Sequence, residues 1–453
     1  MKPTRPGQQS GFLSRRRFLR LAGALAGGSL LAACASRTPA SLGDTPFLPR
    51  LATWPAGRRA AVAFTFDWET AMGGLVHSRS IGDPNVDQDY LLRARRMREG
   101  LATTMAIFAP LAIRATYYAT GYNFLRGNRE QRQFLGNPIF PWATQANGWT
   151  SDRWTTTPWF ADDPFGTVES HPEWYFGDLI EPLREAGHTI ESHTFSHFHG
   201  GLVDPVTWRL DLQTWNNLAA ERGVPPARSL AFPWSSSAGM SDASWDELEL
   251  AGITSVTRLS NQAQYSLWEV DQDGVVLHPR PCWLPGREGR MMACPDFYLT
   301  VSRTSLALVQ IERAVETGGM IDFWAHTEEV VSAEQIASWQ RVATRVANDI
   351  RLWVAPLDEL ATWSAAVAEV RVEADALDAQ RGDLHLQLTN PTRTALSGLT
   401  LHVPAATQQV FVEDVELETL RGRLSWRMGW WPAAALVTLD LPAETVLRMR
   451  IVT

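Results

Sequence analysis

The 453-residue chain has 3 cysteines, too few for the dense disulfide frameworks that hold small secreted domains together. It has no basic run beyond its first twenty residues and carries a net charge of -8, so it lacks the electrostatic footprint of a nucleic-acid binder. It has no Gly-x-Ser-x-Gly elbow, which argues against a serine hydrolase. Its one sustained apolar run, ending at residue 34, covers about a dozen residues, well short of the roughly 20 that span a bilayer. There is no long internal repeat, and low complexity is confined to a Pro-, Ser-, Ala- and Gly-rich stretch at 35–57. What is abundant is tryptophan, 20 residues in all. Flat indole faces are costly to expose; they fill cores, and they also stack on the apolar faces of sugar rings.

The N-terminus reads as an address. Ser14-Arg15-Arg16-Arg17-Phe18-Leu19-Arg20 precedes the apolar run, which closes on Leu31-Ala32-Ala33-Cys34. The first element has the form of a twin-arginine export signal, and the second resembles a bacterial lipobox in which Cys34 becomes the lipidated first residue. The expectation is an exported protein of the bacterial cell envelope, held to a membrane by a lipid anchor and a tether over 35–57. Cys282 and Cys294 remain, and spacing leaves open whether they pair or stay as two thiols.

The length predicts two folded units after this leader. Residues 58–366 alternate short apolar runs with helix-like stretches, which predicts parallel strands joined by crossover helices. Strands are expected at 60–66, 115–119, 188–191, 229–232, 254–257, 320–324 and 352–355. Helices are expected at 91–108, 178–186, 241–251, 306–317 and 333–350. Residues 121–177 break this rhythm with Trp142, Trp149, Trp154, Trp159 and Trp174 among turn formers; so long an aperiodic segment reads as an insertion beside the active site. From 370 to 453 the pattern changes to alternation, predicting a small antiparallel sandwich of about six strands, one of them at 423–427. That unit is expected to pack on the body, with glycan binding as the second option.

Two carboxylates, Asp67 and Glu69, follow the first strand, where parallel sheets gather their reactive groups. His193 and His197 follow another strand, four residues apart. On a turned backbone such a pair sits about 5–6 Å apart and can converge on one ion. On an extended strand the separation is roughly 13 Å, which metal bonds of about 2 Å cannot bridge. The strand must therefore end before His193. Two imidazoles and one carboxylate leave coordination positions open for water and substrate, the arrangement of a catalytic divalent ion.

Taken in order, Thr65-Phe66-Asp67, His193-Thr194-Phe195-Ser196-His197, Ala231-Phe232-Pro233-Trp234 and Ile321-Asp322-Phe323-Trp324-Ala325-His326 resemble the motifs of carbohydrate esterase family 4, the polysaccharide deacetylases with the NodB-homology domain. The likeness spans roughly residues 58–365. It implies an α/β fold, a distorted (β/α) barrel. By the same resemblance Asp67 is the catalytic base and His326 the acid, while Glu69, His193 and His197 hold a divalent metal ion, expected to be zinc. Trp234, Pro233 and Trp68 are expected to contact the substrate, a polysaccharide bearing N-acetyl or O-acyl groups. Two departures stand out. Trp68 separates the two acidic residues of the first motif, and Ala231 occupies the place where the family carries an arginine that holds the base, leaving Arg228 as a substitute. Two other functions stay in view: hydrolysis of non-peptide C–N bonds in a small molecule, and glycan binding by a lipoprotein whose hydrolase frame has decayed.

Overall fold

The computed structural model describes residues 49–378, 383–404, 406–413, 415–417 and 434–452. The export signal, Cys34, the tether as far as residue 48 and the strand expected at 423–427 lie outside the described residues. The body is built on the strand Ala60–Trp68, all nine residues of which are buried. A strand covered on both faces needs apolar side chains on both, which is why this segment reads as a continuous hydrophobic run rather than an alternation. Phe64 and Phe66 pack on Phe108 of the helix Tyr90–Phe108 and on Trp339 of the helix Ala333–Ala347, with Phe66 and Trp339 at 4.7 Å. Truncating such a buried phenylalanine to alanine costs about 3–5 kcal/mol.

On one side of this strand lie Thr116–Ala119, Thr189–Ser192, Ser229–Ala231 and Ser255–Thr257, all parallel. On the other lie Met320–His326 and then Asp296–Tyr298, also parallel, while Leu352–Val354 pairs with residues 60–62. The path ends at Cys282–Trp283 and at Asp296–Tyr298, so the sheet is an α/β barrel left open between two edges. The expected strands and helices lie within a few residues of those observed, but the sheet strands Cys282–Trp283, Met292–Ala293 and Asp296–Tyr298 were not anticipated. Two long helices, Pro205–Glu221 and Leu357–Glu369, were not anticipated. The first carried a readable start: Asp204 accepts the backbone N–H of Thr207, and Pro205 opens the first turn.

The alternating C-terminal segment forms two antiparallel sheets. One joins Arg371–Asp378, Asp383–Asn390, Thr445–Val452, Gln409–Val412 and Val415–Leu417. The other joins Leu396–Pro404 and Ala434–Leu441 with Arg50–Leu51 from the far end of the chain. The part of the expected tether from residue 49 onward is therefore built into this sandwich; the proline, glycine and alanine there mark a short turn at Pro55–Gly57. Cys282 and Cys294 are free thiols. Cys282 stands opposite Ala293 in its ladder, and with side chains alternating along a strand the next residue faces away.

Candidate metal and acid–base site

Asp67 and Glu69 straddle the end of the first strand, two residues apart, so both side chains leave the same face. Trp68 between them takes the other face. It is fully buried against Phe176 and Tyr117 and does not line the cleft, so its expected substrate contact is corrected to core packing. The neighbouring strand ends level with the first, the register pairing His326 with Asp67. The strand at Thr189–Ser192 ends immediately before His193, as a shared ion requires. Thr194 and His197 then take left-handed backbone angles, φ 62° and 51°, and bring the imidazole centroids to 4.8 Å. Asp211, on the unanticipated helix, accepts the backbone N–H groups of Phe195 and Ser196 at 2.6 and 2.9 Å. Burial pushes its carboxyl up to about 7 against the pull of those donors.

Glu69, His193 and His197 present three ligand atoms within 4.8 Å of one another, all buried. Glu69 Oε1 lies 3.6 Å from His193 Nε2, 3.3 Å from His197 Nε2 and 3.8 Å from His326 Nε2. His193 Nδ1 donates to the carbonyl of Ala231 at 2.8 Å, which fixes the tautomer and leaves the Nε2 lone pair facing Glu69. Both nitrogens of His197 are buried without a hydrogen-bond partner. Burial pulls this ring down, against Glu69, and keeps it the neutral ligand a cation needs. Burial alone would raise Glu69, but His197 and His193 outweigh it and hold the carboxyl well below its usual range. An orphaned buried imidazole beside an ionised carboxylate and a tautomer-locked partner is a donor set that fits a divalent ion.

Asp67 and His326 flank this triad. Asp67 Oδ2 is 3.9 Å from His193 Nε2, and its Oδ1 is 3.3 Å from the guanidinium of Arg258. Arg258, fully buried, also pairs with Asp322 at 2.7 Å and lies 4.2 Å over the ring of Trp324. The cation beside Asp67 therefore comes from Arg258 and not from Arg228, which is exposed at the opposite end of its strand and reaches Thr362. Sequence reasoning missed Arg258, although it directly follows the strand Ser255–Thr257, the position that singled out Asp67 and His193. The backbone carbonyl of Ala231 serves His193, a role any residue can fill. Glu329, also missed, lies 3.2 Å from His326 Nδ1. Burial pulls the His326 ring down, but the Glu329 carboxylate, with Glu69 and Asp67, outweighs this and pushes it up to about 10.

The cleft measures about 180 Å3 and is lined by Asp67, Glu69, His193, His197, Arg258 and His326, with Trp234 and Trp324 as aromatic walls. Trp234 sits edge-on to His197 at 4.5 Å. Pro233 is buried at the start of its turn and does not line the cleft. Trp234, Ser235 and Arg258 share left-handed φ values of 52°, 50° and 55°, so with His197 four non-glycine residues in this uncommon conformation line one cavity, a concentration typical of functional sites. The insertion lies beside it: Trp149 meets Trp234 at 5.3 Å, and Trp159 donates to the carbonyl of Ser196 at 2.7 Å. Trp149, Trp154, Trp159 and Trp174 are themselves buried and belong to the same hydrophobic cluster as the barrel.

No family model matches the chain, and no curated protein matches it. Solved structures do. A Mycobacterium smegmatis protein described as a polysaccharide deacetylase shares 18% identity with a TM-score of 0.45, over 72% of this chain and 96% of its own. PuuE allantoinase shares 13% identity with a TM-score of 0.45, over 72% and 97%. A family 4 carbohydrate esterase from Streptomyces lividans, in complex with acetate, shares 11% identity with a TM-score of 0.32, over 66% and 93%. What the site can do rests on its own geometry.

Proposed function

We propose that the chain is a metal-dependent hydrolase that removes acyl groups, N-acetyl above all, from a polysaccharide of the bacterial cell envelope, reached by export and lipid anchoring at Cys34. The observation that carries this reading is the buried Glu69–His193–His197 triad with Asp67 on one side and His326 on the other. A bound divalent ion, for which zinc suits the nitrogen and oxygen donors, supplies a Lewis acid that polarises the acyl carbonyl and acidifies a water. Asp67 accepts the proton of the attacking water, and Arg258 holds its carboxylate in place. His326, kept protonated by Glu329, delivers a proton to the departing sugar nitrogen or oxygen. Trp234 and Trp324 narrow the cleft around the acyl group and exclude bulk water.

A second reading, hydrolysis of a non-peptide C–N bond in a small molecule, is favoured by the cleft volume of about 180 Å3, room for one sugar unit or one compact amide. A panel of acetylated glycans and small cyclic and linear amides, assayed for acetate or amine release with and without chelator, separates the two. Chelator-sensitive acetate release from glycans supports the proposal. Release only from small amides replaces it with the second reading, and chelator-resistant release removes the metal from both.

A further inference from the structure

At the other end of the same strands lies a second, larger concavity of about 390 Å3, between the body and the C-terminal sandwich. It is lined by Arg228 and Thr254, at the starts of two barrel strands, by Arg290, Thr392 and Thr394, and by alanines of the helix Leu357–Glu369. Trp283, on the edge strand Cys282–Trp283, lines it too. Among the described tryptophans, Trp283 alone has neither a ring partner nor an acceptor for its indole N–H. It is half-buried and packs in neither hydrophobic cluster of the molecule. An indole that serves no core and faces an open groove is unexplained by folding.

The groove's chemistry selects its occupant. Trp283 is its one large apolar side chain, with no Leu, Ile, Val, Phe or Met beside it, so a lipid or an apolar peptide finds little to bury. Arg290 is already paired with Glu249 at 2.7 Å, and Glu369 adds a negative charge, so a nucleic-acid backbone finds no cationic track. One indole face beside guanidinium and hydroxyl groups matches a pyranose ring, apolar on its C–H face and rich in hydroxyls at its edge. We propose that this groove is a second carbohydrate-binding site, which holds the polymer at a distance from the catalytic cleft. Thr254 and Arg258 mark the two ends of one strand, roughly 13 Å apart. A glycan in the groove therefore does not run straight into the cleft; it fixes the protein to the polymer and raises the local concentration of acyl groups.

The inference leans on the proposed function only in its choice of probes, a β-1,4-linked N-acetylglucosamine hexamer and a hyaluronan fragment of matched length. Titration calorimetry with the zinc-loaded full chain is expected to show binding of at least one probe that persists in His193→Ala, where the cleft is disabled. That binding should weaken roughly tenfold in Trp283→Ala and by less in Trp283→Phe, which keeps a ring. Arg228→Ala gives an independent arm with the indole intact and should also weaken binding. Wild-type binding of neither probe, or equal binding by all these variants, overturns the inference. Acetate release from a trimer is measured in parallel. Binding with no release sinks the proposed function and leaves the groove standing; release with no groove binding does the reverse.

Discussion

Replacing Glu329 with glutamine tests whether His326 is an acid whose proton is held by its neighbour. The Glu329 carboxylate lies 3.2 Å from His326 Nδ1 and also accepts the backbone N–H of His326 at 2.9 Å. The amide keeps the shape and one acceptor but removes the charge. A charge-assisted hydrogen bond is worth about 1.5–3 kcal/mol, or roughly one to two pKa units. The ring retains 30% exposure, so solvent screening favours the lower figure, about one unit. The sign follows from the role: an acid must enter the reaction protonated, so activity is lost as pH rises through its pKa, and lowering that pKa moves the loss to lower pH. In a kcat–pH profile of acetate release, the alkaline limb of Glu329→Gln should therefore shift down by about one unit, with metal content unchanged. An unshifted alkaline limb, in a variant that still binds metal, refutes the assignment of His326 as an acid tuned by Glu329.

Other outcomes follow from the same geometry. Arg258→Met leaves Asp322 and Asp67 buried without their shared cation; it should destabilise the fold by about 3–5 kcal/mol in chemical denaturation and abolish acetate release even at temperatures where the variant is folded. Gly74→Ala would place a methyl 2.4 Å from Glu69 Oε2, so it should lower metal occupancy while circular dichroism stays close to wild type. Trp68→Phe, a change in the core rather than the cleft, should alter the melting temperature and leave KM within about twofold.

How much of this was legible in the sequence depends on whether a residue announces itself by pattern or only by proximity. The barrel strands were readable because double-sided burial demands uninterrupted apolar runs, and the sandwich because one-sided burial demands alternation. Asp67, Glu69, His193, His197 and His326 were readable because the motif order places each near the end of a strand. Arg258 and Glu329 were not, since an isolated arginine or glutamate carries no period and its worth depends on what stands 3 Å away. The helix Pro205–Glu221 was passed over despite its capping aspartate and N1 proline, and with it Asp211, which ties down the histidine loop. Tryptophan abundance could not say which indoles are structural: Trp149, Trp154, Trp159 and Trp174 of the insertion are buried, whereas Trp283, outside any motif, is the one described tryptophan with neither a ring partner nor an acceptor for its N–H.

The most direct test of the account is the metal stoichiometry of the purified chain, read by elemental analysis for the wild type and for Glu69→Ala, His193→Ala and His197→Ala. The geometry predicts one divalent ion per wild-type chain and a marked loss in each variant, because all three donors meet within 4.8 Å. A wild-type chain that binds no divalent ion when zinc is supplied, or three variants that all retain it, would contradict the account at its root.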